Sequence, residues 1–163
     1  ASETRLTEKT VALQVTLENM AQGLMMIAPD RTIPFCNRRA VEMLDLPPEV
    51  MSGGCTFDDI LAHQWRSGEF SRTDTDFHTF VKSGGVSDKP QVYERERPNG
   101  TVIEVRSIPL PGGGAIRTYT DITERRQAAM QLVTAKEQAE AASARPKKGA
   151  KKRKEFIVRV LAP

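Results

Sequence analysis

Residues 91–125 read QVYERERPNG TVIEVRSIPL PGGGAIRTYT DITER, and this stretch decides the fold. Over 91–97, 101–110 and 115–120 the pattern has a period of two, which sends successive side chains to opposite faces of a strand. Pro98-Asn99-Gly100 separates the first two segments, and Asn-Gly supplies the positive φ angles of a tight hairpin turn. Pro111-Gly112-Gly113-Gly114 joins the second to the third. Three antiparallel strands in succession follow.

Working outward toward the N-terminus, residues 49–85 mix helical stretches (57–65 and 74–81) with Gly53-Gly54, Gly68 and Gly84-Gly85, the least regular part of the chain. Asn37 caps a helix running to Leu44, because its side-chain oxygen accepts from first-turn amides and Ala40, Val41 and Leu44 form an apolar face; Pro47-Pro48 ends it. Before it, 24–28 and 32–36 are short extended segments around the turn Pro29-Asp30-Arg31, a further hairpin with Pro34 placed where no ladder N–H is needed. Leu6, Thr10, Leu13, Leu17 and Met20 lie on one helical stripe, so 3–20 reads as an amphipathic helix.

Toward the C-terminus, Asp121-Ile122-Thr123-Glu124 is a variant capping box that starts a helix, with Glu124 reaching back to the Asp121 amide. Its body carries Arg125, Ala128, Leu132, Ala135, Ala139 and Ala142 at heptad steps, a seam weakened by alanine and one charge. Two strands, a helical middle and three strands define an α+β fold: a five-stranded antiparallel sheet with helices on one face, flanked by the two outer helices. The organisation expected is a helix over 1–20, a core over 21–122, an outgoing helix over 123–143 and a basic tail over 144–163.

With 163 residues there is room for one core plus extensions, since domains run to ~100–150 residues. The net charge of +3 is a tail property: residues 144–163 hold 8 basic residues and 1 acidic, while residues 1–143 hold 16 basic and 20 acidic. A mildly acidic core argues against a phosphate-binding groove. Residues 147–154 form a basic patch without interleaved aromatics, hence without a stacking platform. It reads as a solvated tail that is native or added, with weak polyanion binding as the alternative function and no specific nucleic acid as partner. No apolar run reaches the ~20 residues of a membrane span, and no secretion signal opens the chain, so a soluble, cytoplasmic protein is expected. Cys36 and Cys55 form no disulfide framework and read as buried thiols. Two His and two Cys spread over 36–78 lack ligand spacing, so no metal is assigned. With no nucleophile–base pair, phosphate loop or metal site, the fragment is read as non-enzymatic.

Taken together, Asn37-Arg38-Arg39, Leu44-Asp45-Leu46-Pro47-Pro48, the turn at Arg97-Pro98-Asn99-Gly100, Leu110-Pro111-Gly112-Gly113-Gly114 and Tyr119-Thr120-Asp121-Ile122-Thr123-Glu124-Arg125 closely resemble PAS domains of bacterial sensor histidine kinases, over roughly residues 13–126. The resemblance implies a small cavity between sheet and helices, homodimers through the flanking helices, a downstream kinase or output domain, and Asp121, Ile122, Thr123 and Glu124 as the signal-coupling junction. The flavin-adduct subgroup needs Asn-Cys-Arg-Phe-Leu on a helix, and neither Cys36 nor Cys55 stands in such a motif. The haem subgroup uses a His before the third strand; His78 is roughly there, but it and His63 read as ordinary polar residues. The cofactor is left unassigned. In histidine kinases a Lys-Ser-Glu-Phe-Leu stretch precedes the phosphoacceptor His. Glu155-Phe156-Ile157 echoes it, yet Ala162 stands in the His position, so this fragment carries no phosphoacceptor.

For a small organic ligand the candidate wall is Trp65, Phe77, Tyr93, Arg95, Glu104, Arg106 and Arg117, where an arginine fork suits a carboxylate. The preferred reading of Glu94, Glu96, Glu104, Arg106 and Arg117 is cross-strand charge pairing on a partly exposed face. For Asp121 an ion pair with Arg106 or Arg39 is expected beside the helix cap.

Overall fold

The protein is described by a computed structural model over residues 1–144 and the backbone of residues 159–160. In chain order it comprises α1 (Ser2–Glu18), β1 (Gly23–Ile27), β2 (Phe35–Cys36), α2 (Arg38–Leu44), α3 (Glu49–Ser52), α4 (Phe57–Arg66), α5 (Thr75–Lys82), β3 (Gln91–Glu96), β4 (Val102–Pro109), β5 (Ala115–Asp121), α6 (Thr123–Ser143) and β6 (Arg159–Val160). The sheet order is β2-β1-β5-β4-β3-β6, with every pairing antiparallel. Five of these strands are the sheet that the alternation implies. The two-residue β6 adds to the free edge of β3, at Gln91 and Val92.

One face of the sheet is the core face. Met25 and Ile27 of β1, Tyr93 of β3, Ile103 and Val105 of β4 and Ala115 and Tyr119 of β5 are buried there with Ala40, Met43, Leu44, Val50, Phe57, Ile60 and Phe77 from the four helices of the middle segment. Burying side chains of this size contributes roughly 1.5–3 kcal/mol each, which is why the irregular middle is held although its helices are short. Two glycines permit the close approach. A Cβ on Gly23 would stand 2.8 Å from the Ala40 Cα, so α2 can lie directly on β1, and one on Gly114 would collide with the Ile27 carbonyl oxygen.

Asn37 is more than a helix cap. Fully buried, it accepts from Ala40 N at 3.0 Å and Leu24 N at 2.8 Å, and donates to the Leu17 carbonyl at 2.8 Å and the Gln22 carbonyl at 3.0 Å. One satisfied side chain thus ties the end of α1, β1 and α2 together.

The β3–β4 turn corrects a detail of the expectation. Only Gly100 takes a positive φ, 86°, while Asn99 acts through its side chain, which accepts from Thr101 N at 3.1 Å and Thr101 Oγ1 at 2.7 Å. Gly100 N donates to Arg97 O and Arg97 N to Thr101 O. This is a three-residue loop of a type I turn followed by a left-handed glycine, which Pro98 favours by fixing its own φ.

Neither α1 nor α6 buries a residue, and Leu6, Leu13, Met130 and Leu132 are 62–73% exposed. The flanking helices therefore hold no core against the sheet.

Candidate functional site

The period of two divides the candidate wall into two faces. Tyr93, Arg95 and Arg117 point inward, with Phe77 above them, and line a cavity completed by Phe57, Gln64 and Tyr119. Glu104 and Arg106 occupy even positions of β4, whose odd positions Ile103, Val105 and Ser107 are buried, so both stand on the outer face. Trp65 lies outside the cavity, 42% exposed, its ring against Phe70 at 5.8 Å and His78 at 5.2 Å. Arg117 likewise leaves the cross-strand charge pairs expected of it, because parity places it among the core aromatics.

The cavity holds about 20 Å³. That is room for one water-sized group and far below the ~300–1,000 Å³ of a drug-sized pocket. Aromatic rings fill the rest: Phe77 packs on Phe70 at 5.5 Å and on Tyr93 at 5.4 Å. Arg117 donates through Nη2 to the Gly85 carbonyl and stacks over Phe57, its Cζ 4.9 Å from the ring centroid. Burial pushes the Tyr119 hydroxyl above its ordinary range, with Arg117 opposing the shift.

Beside the cavity is an ion cluster that pattern reading missed. Glu69 Oε1 accepts from Arg95 Nη1 at 2.8 Å and Arg97 Nε at 2.7 Å, and Oε2 accepts from Arg97 Nη2 at 3.1 Å. Arg97 Nη2 also reaches Asp45 Oδ2 at 2.8 Å, and its Nη1 donates to the Met43 carbonyl. Against desolvation, the hydrogen bonds that Arg97 donates to the Glu69 and Asp45 carboxylates hold its guanidinium above its ordinary pKa. The cluster fastens the end of α2, the α4–α5 segment and β3 to one another. A signal existed in the sequence, since Arg95 and Arg97 share parity with Tyr93 and so face inward, where each needs an acid.

The exit junction lies at the far end of β5. Asp121 is the last residue of that strand, in register with Ile103, and Ile122 takes the helix N-cap position without a side-chain cap. The Asp121 carboxylate accepts from Thr123 N at 2.9 Å and Thr123 Oγ1 at 2.5 Å, while Thr123 Oγ1 accepts from Val102 N at 3.0 Å. This is a local Asx turn bonded to the start of β4 and replaces the capping box expected with Glu124, because the Asp121 backbone belongs to the ladder. The Thr123 hydrogen bonds hold the Asp121 carboxyl below its ordinary range, helped by the charges of Arg39 and Arg97. Neither expected ion pair forms: Arg106 bonds Glu104 at 3.1 Å, and Arg39 donates to the Ala21 carbonyl.

On the outer face Glu94 and Glu104 oppose each other directly, an unfavourable like-charge pair. Arg125 of α6 reaches Glu104 at 3.4 Å and Glu94 at 3.6 Å, and Arg126 reaches Glu94 at 3.5 Å. Arg125, assigned to the heptad seam by spacing, is thus a clamp holding the first turn of α6 on the sheet. Exposed pairs of this kind contribute ~0–1 kcal/mol each, enough to orient the helix without fixing it.

His78 Nε2 donates to the Phe70 carbonyl at 2.8 Å, so that ring has a structural partner. Among the described residues no group of His, Cys, Asp or Glu has metal-binding geometry, and no helix is long and apolar enough to cross a membrane. Residues 147–154 lie outside the described residues. Cys36 and Cys55 are unpaired and buried. Burial pushes the Cys36 thiol up to about 12, and that of Cys55 upward as well. Since the thiolate is the nucleophile, both should react with Ellman's reagent at about pH 8 at least ~10-fold more slowly in the native chain than in denaturant. Equal rates would show that the thiols are not shielded.

A family model described as the PAS fold matches residues 17–130. No curated protein matches the chain significantly. Among solved structures, the PAS domain of an HTR-like protein from Haloarcula marismortui is 21% identical, with 74% of this chain and 98% of that one covered and a TM-score of 0.45. A domain of a sensory box sensor histidine kinase/response regulator from Geobacter sulfurreducens is 16% identical, covering 71% and 96%, with a TM-score of 0.42. The PAS domain of BvgS from Bordetella pertussis is 15% identical, covering 80% and 98%, with a TM-score of 0.48.

Proposed function

This chain belongs to the PAS family, and on that premise we propose that it is the non-catalytic sensory and relay module of a two-component signalling protein, a sensor histidine kinase, acting as a homodimer through α1 and α6. The observation that carries the proposal is the course of β5. Arg117 and Tyr119 face the inner cavity from this strand, and two residues further on the same strand ends at Asp121 and passes into α6. Any rearrangement of side chains at the cavity acts on a strand covalently continuous with the outgoing helix. Ile122, 3% exposed, anchors the joint, and its amide donates to the Val102 carbonyl at 2.9 Å.

The homodimer rests on the flanking helices. In proteins most of a helix's stability comes from packing an apolar face rather than from intrinsic propensity. Leu6, Leu13, Leu132 and Met130 bury none within one chain, and a second copy would cover them. Light scattering at tens of micromolar tests this on residues 1–163 and on a core trimmed to 21–122: the longer chain is expected to be a dimer and the core a monomer. Two monomers would refute dimerisation through the helices, and a dimeric core would move the contact onto the sheet.

A further inference from the structure

On its inner side β3 runs in register with β4 over its whole length, Gln91 level with Ser107 and Glu96 with Val102. Just past the strand, Arg97 N donates to Thr101 O at 2.8 Å, so Arg97 is a hydrogen-bonded position of that ladder. Such positions recur at every second residue of an antiparallel pair, which turns the amides of Gln91, Tyr93 and Arg95 toward β4 and those of Val92 and Glu94 outward. A row of outward backbone groups is a template for another strand. β6 lies on it, with Arg159 level with Val92 and Val160 with Gln91.

Composition and reach say where the rest of that strand comes from. Residues 156–161 read FIVRVL, rich in the β-branched and aromatic types that favour strands, directly after the Lys- and Arg-rich stretch 147–154. The start of α6 rests beside β3, where Arg126 reaches Glu94 at 3.5 Å. From Arg126 to Ser143 the helix rises roughly 26 Å, and residues 144–158 can extend over ~50 Å, so the same chain can return to β3. Its basic end is also drawn to a core with an excess of acidic residues. Glu94 and Glu96 line a groove of about 440 Å³ between β3 and α6, bounded by Arg72, Arg126 and Met130, which leaves room for the residues before Arg159.

From this arrangement we infer that the outer edge of β3 is a strand-docking site whose occupant is the C-terminal segment of the same chain, residues 156–161, with Arg159 as the hydrogen-bonded partner of Val92. Continued back from Arg159, the antiparallel register brings Ile157 level with Glu94, at the groove. Docking covers the outward amides against pairing with other chains. It also fastens the chain beyond α6 to the sheet, a second link beside the joint at Asp121.

Hydrogen exchange of single amides in the full 163-residue chain tests the docking without reading any signal. The Val92 and Glu94 amides should exchange at least ~10-fold more slowly in the parent chain than in Arg159→Pro, which deletes a ladder donor and sets a ring against the Val92 carbonyl. Val160→Pro should keep the protection, because the Val160 amide points away from β3 and an edge strand tolerates proline on that side. Arg159→Ala, which removes the charge but not the donor, should keep it too. The Val105 amide, in the ladder between β4 and β3, reports that the core is folded in each variant. Equal exchange in the parent and Arg159→Pro, or equal loss in both proline variants, would overturn the site. Isotope-labelled parent chain co-refolded with an excess of unlabelled Arg159→Pro chain should retain its protection at Val92. Loss of protection on mixing would assign the strand to a second copy and overturn docking within one chain.

Discussion

Glu69→Gln is expected to destabilise the domain by about 3–5 kcal/mol, the cost of breaking a buried ion pair from one side. Glu69 is 5% exposed and is the carboxylate shared by Arg95 and Arg97, themselves 6% and 5% exposed. The amide keeps the size of the side chain but removes the charge, and both guanidiniums stay buried. Asp45 cannot substitute, because its carboxylate is 75% exposed and held only by the outer edge of Arg97. Asp45→Asn should accordingly cost no more than about 1 kcal/mol, as exposed pairs do. Urea unfolding of the two variants beside the parent chain checks the contrast. Equal, small losses for both would mean that water reaches the cluster and that it does not lock α2, the α4–α5 segment and β3 together.

That cluster also marks the limit of what the sequence discloses. The three late strands, their turns and the two outer helices are legible because alternation, Asn-Gly and Gly-rich turns and helical stripes are local signals. Asn37 is legible as a cap for the same reason, whereas its bonds to Leu17 and Gln22 depend on how α1 arrives. Which face each strand residue takes is only half legible. Charge and strand position group Glu104 and Arg106 with Tyr93, Arg95 and Arg117, although parity within β4 separates them once Ile103 and Val105 are taken as core. Glu69 carried no signal, since it lies in an irregular segment whose place against β3 is set by tertiary packing. Arg125 shows the reverse case: heptad spacing placed it on a seam, and the like-charged pair Glu94–Glu104 beneath it gave it another partner.

The second large effect is expected at Asp121, in signalling more than in stability. Its carboxylate holds Thr123, and Thr123 holds the amide that starts β4, so one side chain sets the angle between β5 and α6. Removing it costs roughly 0.5–2 kcal/mol, as loss of a helix-terminal acceptor does. The sign with pH follows from the lowered carboxyl: the stability Asp121 lends is present above the ordinary carboxylate range and is lost as pH falls through its depressed folded-state pKa. Arg125 and Arg126 still rest on Glu94 and Glu104 in the variant, so α6 stays on the sheet but no longer at a fixed angle.

The measurement that bears most directly on the relay is the melting temperature of the Asp121→Ala chain beside the signal-dependent output of the parent protein carrying the same change. The account predicts a melting temperature lower by about 2–8 °C, with the core folded and the output no longer following the signal. A variant that melts a few degrees lower and still switches with normal amplitude would contradict it, and would reduce Asp121 to an ordinary helix-terminal acceptor.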